Sequence, residues 1–221
     1  MRRSQQVGAA GVALLIVSAL VAGCGSSSSG GRTASSKQAI ESLRGTRQEL
    51  AKAKTEVQQT NGSLDKLASG GNLEQSYQQY TRQVAEMKAS GERAKARGQD
   101  MRNRTRQYVA AWQKEMDQIS SPELRAGASE RRAKVQANFD QITASARATG
   151  DAYRPYLQNL QEIQKALAND LTPAGVDAAR TAIDKAKAQG ETVQQKLDAL
   201  IAELDQVGGS MSTGASTASG T

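Results

Sequence analysis

The side chain best equipped for covalent chemistry is Cys24, the one cysteine of the 221-residue chain, which contains no histidine at all. A single thiol excludes an internal disulfide and any multi-thiolate zinc or iron–sulfur centre. The absence of histidine removes the commonest general base and metal ligand. No cofactor or metal is therefore expected. Acidic residues such as Glu86, Glu115, Glu123, Glu130 and Asp140 fall at helical spacings. They read as a solvated face with i,i+4 ion pairs rather than as a catalytic carboxylate pair, which needs a cleft and shifted acidities. An enzyme is not expected, because long thin helices with alanine and glycine on their seams offer no obvious cleft.

The basic residues cluster more than the acidic ones. Arg93, Lys95, Arg97, Arg102, Arg104 and Arg106 share one stretch, and Arg131, Arg132 and Lys134 follow soon after a turn signal near residue 121. If the two segments fold back antiparallel, Arg104 and Arg106 come level with Arg131 to Lys134. The candidate anionic-partner surface is therefore Arg97, Arg102, Arg104, Arg106, Arg131, Arg132 and Lys134, suited to anionic lipid, a wall polymer or an acidic envelope protein. Tyr77, Tyr80, Tyr108, Trp112, Tyr153 and Tyr156 read as core or semi-core rings with their polar tips at the surface.

The elements that must position these residues are long helices. Leu73, Tyr80, Met87, Ala94, Met101 and Tyr108 recur every seven residues, with Tyr77, Val84, Gly91, Gly98, Thr105, Trp112 and Ile119 as a second series. The spacing predicts an unbroken helix over 73–119 with one stripe facing partner helices. Glu115 continues the first series and is expected beside an arginine. Weaker apolar spacing marks a first helix over about 37–68, in which Asn61-Gly62-Ser63 is a candidate break. A third runs over about 123–169, from Leu124 to Leu167, where Pro155 should kink or restart it with Asp151 as a cap. The fourth carries Val176, Ile183, Val193, Leu197, Leu200, Leu204 and Val207.

Gly70-Gly71-Asn72, Ser121-Pro122 and Thr172-Pro173 punctuate the pattern with stops, caps and first-turn prolines. The connections are short, so neighbours should be antiparallel. The expected fold is all-α, an antiparallel bundle of about four long heptad-patterned helices over 37–207. Glycine and serine dominate 25–36 and 208–221, which read as a flexible tether and a disordered tail. Small residues at Gly91, Ala94 and Gly98 predict either close backbone approach or a locally weak seam.

The first 24 residues carry an address. Arg2 and Arg3 precede an apolar run over 7–22, shorter than the ~20 residues of a spanning helix. The run ends Val21-Ala22-Gly23-Cys24, which resembles the bacterial lipobox, so 1–23 are expected to be a signal peptide and Cys24 the lipidated residue. Two or more acyl chains anchor stably. Removing the leader takes away two arginines and no acid, so the formal charge falls from +7 to +5. Gly25, where an Asp would favour inner-membrane retention, favours the outer membrane if the host has one.

Four short patterns then stand in order: Gly70-Gly71-x-Leu73-x3-Tyr77, Trp112-x2-Glu115-x3-Ile119, Leu124-Arg125-x3-Ser129 and Tyr153-x-Pro155-x-Leu157. On these the chain, from about Leu43 to Asp205, resembles the domain-of-unknown-function 2959 family. The resemblance implies an all-helical, often lipobox-bearing envelope protein without an assigned activity, and it carries over no catalytic residue. After Pro155 the family tends to have a long apolar-aromatic run, whereas Gln158 to Leu171 here is polar and alanine-rich.

These readings lead to a non-enzymatic, lipid-anchored protein of the cell envelope facing the periplasm. It would be a spacer, scaffold or adaptor binding another envelope component through its basic surface, as a monomer or small oligomer. The alternative is a periplasmic holdase-type chaperone with coiled-coil arms. Export argues against nucleic acid as the partner of the positive charge.

Overall fold

The computed structural model describes residues 29–217, within which run four helices: α1 (Ser29–Ala68), α2 (Leu73–Met116), α3 (Pro122–Asn169) and α4 (Pro173–Thr217). The signal segment 1–23, Cys24 and Gly25 lie outside the described residues. The connections are three to five residues long, so successive helices fold back on each other. Each helix packs on both its neighbours, α1 on α2 and α4, and α3 on α2 and α4, which closes the four into a ring around one core.

The seven-residue series of α2 turns inward as its spacing requires. Tyr80, Val84, Met87, Met101, Thr105, Tyr108 and Trp112 are buried, and Ala94, Gly91, Gly98 and Glu115 are half-buried. Leu43, Val57 and Leu64 of α1, Ile142, Leu160 and Ile163 of α3, and Ile183, Val193 and Leu200 of α4 complete the core. Fully burying side chains of this size contributes roughly 1.5–3 kcal/mol each.

The turns form as the punctuation demands. Gly70 and Gly71 take φ of 81° and 93°, a region that glycine enters without strain. Asn72 Oδ1 accepts from the Gln75 amide at 3.1 Å, capping α2. Ser121 Oγ accepts from the Leu124 amide at 3.3 Å ahead of Pro122. Thr172 Oγ1 accepts from the Gly175 amide at 3.1 Å, and Gly175 is held to glycine by close approach, since a Cβ there would stand 2.2 Å from the Asp170 carbonyl oxygen.

The structure differs from the pattern in five places. The helices run past 37–207: α1 starts at Ser29 and α4 continues to Thr217, where Met211 still packs on the core. Burying that side chain offsets the low helix propensity of the Gly208-Gly209 pair. Asn61-Gly62-Ser63 does not break α1, because Asn61 and Ser63 are buried and hydrogen-bonded inside the bundle. Pro155 does not divide α3; it sits exposed on an unbroken helix, and Asp151 is a mid-helix residue paired with Arg154 rather than a cap. Leu124 belongs to the apolar spacing of α3 yet is 67% exposed in the helix's first turn. The tyrosine tips do not all reach water: the Tyr80 and Tyr156 side chains are fully buried and their hydroxyls bond inside the protein.

Candidate functional site

The seams of the ring are joined by different polar contacts. Between α1 and α4 these are ion pairs, Arg47 to Asp205 at 2.7 Å, Lys54 to Asp198 at 2.6 Å, and Lys187 to Asp65. Between α3 and α4, Ser145 Oγ donates to Glu203 at 2.8 Å and Asn159 Nδ2 to the Ala182 carbonyl at 3.2 Å. Between α1 and α2, Thr46 Oγ1 donates to the Arg97 carbonyl at 3.2 Å, and Glu49 lies 3.6 Å from Arg93. The Glu49 carboxyl is held below its ordinary range, first by the hydrogen bond from Lys52 and further by the charges of Lys52, Arg93 and Arg97.

Tyrosines join α2 to α3 in the half away from the 117–121 turn. Tyr77 Oη donates to the Gln164 carbonyl at 2.9 Å, Tyr80 Oη to the Leu160 carbonyl at 2.6 Å, and Tyr153 Oη to the Met87 carbonyl at 3.2 Å. Gly91 makes the last contact possible, since a Cβ there would meet the Tyr153 hydroxyl at 2.7 Å. Toward the 117–121 turn the two helices then part. Gly98 of α2 and Gly150 of α3 face open space, with nothing within 4 Å of where a Cβ would stand.

The parting is a groove of about 510 Å³. This corrects the expectation that the bundle offers no cleft. On the α3 side Gly91 admits a tyrosine ring and Ala94 and Gly98 leave room, while on the α1 side the backbones come close enough for Thr46 Oγ1 to reach the Arg97 carbonyl. All four helices contribute walls. Residues 46–57 of α1, 87–102 of α2 and 193–204 of α4 line it, with α3 from Ile142 to Leu157. Twelve to sixteen residues of helix span about 16–22 Å, so the groove is elongated along the bundle. Its floor is apolar, including Leu50, Val57, Met87, Met101, Ile142 and Leu197, and its rim carries Glu92, Lys95, Arg102, Arg147, Asp151 and Arg154.

The rim charges do not converge as a catalytic set. Glu92 is exposed and lies 3.7 Å from Lys95 on its own helix, as Asp151 does at 3.4 Å from Arg154. Tyr153 is the phenol nearest them. Burial, and then the negative charge of Glu92, push its pKa up to about 12, so it remains a neutral hydrogen-bond donor rather than a base. Arg102 and Arg147, one on each lip, make no ion pair among the described residues.

The candidate basic surface is distributed rather than pooled. Arg97 is exposed on the α1 side of α2, where its charge acts on Glu49. Arg102 lines the groove. Arg104 pairs with Asp100 at 3.0 Å and Lys134 with Glu130 at 2.9 Å, while Arg106 donates to Asn103. Arg131 is exposed and Arg132 half-buried. The register of the tyrosine contacts, carried toward the turn, sets Arg106 level with Lys134. Sequence reasoning missed Arg147 and Arg154, because they follow no cluster along the chain and come to share a rim with Arg102 and Lys95 only in the folded bundle. Among the described residues no helix is long and apolar enough to cross a membrane.

Residues 33–211 match the family described as "Protein of unknown function (DUF2959)". The match spans most of the chain, which belongs to this family. No curated protein and no solved structure matches.

Proposed function

We propose that this member of the DUF2959 family is a non-enzymatic cell-envelope lipoprotein, a helical-bundle spacer or adaptor held by a lipid on Cys24. It would bind an anionic envelope component through the basic α2–α3 hairpin. The observation that carries the reading is the sole cysteine of the chain at the end of a 16-residue apolar run that follows two arginines and precedes a Gly/Ser stretch. The charges support the binding half of the reading, since Arg106 and Arg131 are exposed with no carboxylate paired to them among the described residues. A ring of helices closed within one chain also favours a spacer over a holdase with open arms, because its apolar stripes already have partners.

The test is the intact mass of the protein extracted from host membranes, followed by vesicle capture. The expected mass is that of residues 24–221 plus acyl chains. Retention of residues 1–23, or an unmodified Cys24, overturns the anchor. Reversing two charges, Arg106→Glu with Arg131→Glu, should lower capture by phosphatidylglycerol vesicles several-fold and reduce its salt dependence. Unchanged capture overturns the basic hairpin as the binding surface.

A further inference from the structure

The groove between α2 and α3 is absorbed by neither the anchor nor the hairpin surface. Its volume of about 510 Å³ lies within the range of small-molecule pockets. Its shape is the first constraint. A channel about 16–22 Å long, floored by Leu50, Met87, Met101, Ile142 and Leu197, suits a linear hydrocarbon better than a compact polar molecule. Charge is the second. Glu92 and Asp151 are each matched by a cation one turn away, which leaves Arg102 and Arg147 over on opposite lips of the groove. A guanidinium presents a planar fork of donors that fits a carboxylate or a phosphate and remains charged at every working pH. An apolar channel with two such groups on its lips is complementary to one kind of molecule.

We infer that this groove binds a single-chain amphiphile with an anionic head, its acyl chain along the floor and its head between Arg102 and Arg147. Carboxylate and phosphate heads share this chemistry, and the two are separated by the probes below. Burial of the chain supplies most of the affinity, at about 25 cal/mol per Å² of apolar surface removed from water, and the arginines choose the head. The inference does not depend on the anchor, so its test uses residues 25–221. That stretch lacks Cys24 and holds the whole described core, from Ala39 to Met211.

Titration calorimetry below the micelle concentration, with palmitate and lysophosphatidylglycerol as probes, reads the binding directly. Both anions should bind, and whichever binds tighter names the head. Hexadecyltrimethylammonium, with the same chain and a cationic head, should bind at least tenfold more weakly, and Arg102→Glu with Arg147→Glu should reverse that order. Gly98→Trp places a ring where a Cβ meets nothing, filling the groove from the α2 side. It should weaken palmitate at least tenfold. Replacing a mid-helix glycine also raises helix propensity, so the melting temperature should hold. Gly98→Leu is the smaller plug, to be used if the tryptophan variant does not fold. Equal binding of anionic and cationic amphiphiles, or unchanged palmitate affinity in a folded Gly98 variant, overturns the inference.

Discussion

At the scale of single residues, the bundle depends on buried polar groups that bond to one another across helices. Asn61 shows this best. Its Oδ1 accepts from Tyr156 Oη at 2.8 Å and its Nδ2 donates to the Lys187 carbonyl at 3.2 Å, so one side chain of α1 holds α3 and α4 together. The room for it comes from Gly190, where a Cβ would lie 2.4 Å from the amide oxygen. Asn61→Ala leaves the buried tyrosine hydroxyl without its acceptor and should destabilise by about 1–3 kcal/mol. Gly190→Ala gains helix propensity but drives a methyl into a pinned side chain, with a net loss expected in the same range. In the double variant the methyl moves into emptied space, so the two losses should fall short of adding by at least about 0.5 kcal/mol. Urea midpoints of the three variants check this, and strict additivity would show that Gly190 has no part in seating Asn61. The chain read in one dimension gave the opposite reading. Asn-Gly-Ser is the composition of a turn, and nothing local shows that a tyrosine 95 residues on and a glycine 129 residues on convert it into a keystone.

At the scale of elements, Pro155 separates what a helix prefers from what it tolerates. It has no amide hydrogen, so the Asp151 carbonyl lacks its helical donor. Both residues are exposed and the helix continues to Asn169, which leaves water as the substitute partner. Pro155→Ala should therefore stabilise the protein, by up to about 3 kcal/mol, read as a higher melting temperature. A lower melting temperature would show instead that the proline sets a course for α3 that the packing needs. The helices themselves were legible because a seven-residue apolar spacing admits one inward stripe, and the residues from Tyr80 to Trp112 follow it. The turns were legible because Asn72, Pro122 and Thr172 are residue types with one local use. The groove was not legible. Ala94 and Gly98 suit close approach and open space equally well, and the choice falls to bulk elsewhere on the same two helices. Tyr77, Tyr80 and Tyr153 join one half, and the gap opens beyond Gly91, where Tyr153 makes the last of these contacts. The basic cluster was legible as composition but not as a surface, since its members turn toward Glu49, Asp100, Glu130 and the groove in turn.

At the scale of the whole molecule, these phenols link the stability of the ring to alkaline pH. Tyr80, Tyr153 and Tyr156 all have raised pKa values, caused first by burial. Neighbouring groups add to it: Tyr156 and Tyr77 act on Tyr80, Glu92 acts on Tyr153, and Tyr153 acts on Tyr156. In the unfolded chain the same groups ionise near pH 10. A folded pKa above the unfolded one gives stability that is complete below pH 10 and is lost as the pH rises toward the folded value, because the unfolded state then sheds protons that the folded state keeps. Lys187, raised mainly by its hydrogen bond to Asp65, follows the same direction. Two to three phenols at about 1.4 kcal/mol each give a loss of ~3–4 kcal/mol per pH unit. A total stability of ~5–15 kcal/mol is used up within a few units at that slope. Urea midpoints should therefore be flat from pH 7 to 9 and fall steeply above 10. Tyrosinate absorbance should rise together with the loss of helical circular dichroism, as one transition. If instead all five tyrosines ionise near pH 10 while the helical signal stays intact, then the phenols reach solvent in the folded protein, and the seam between α2 and α3 is not held by them.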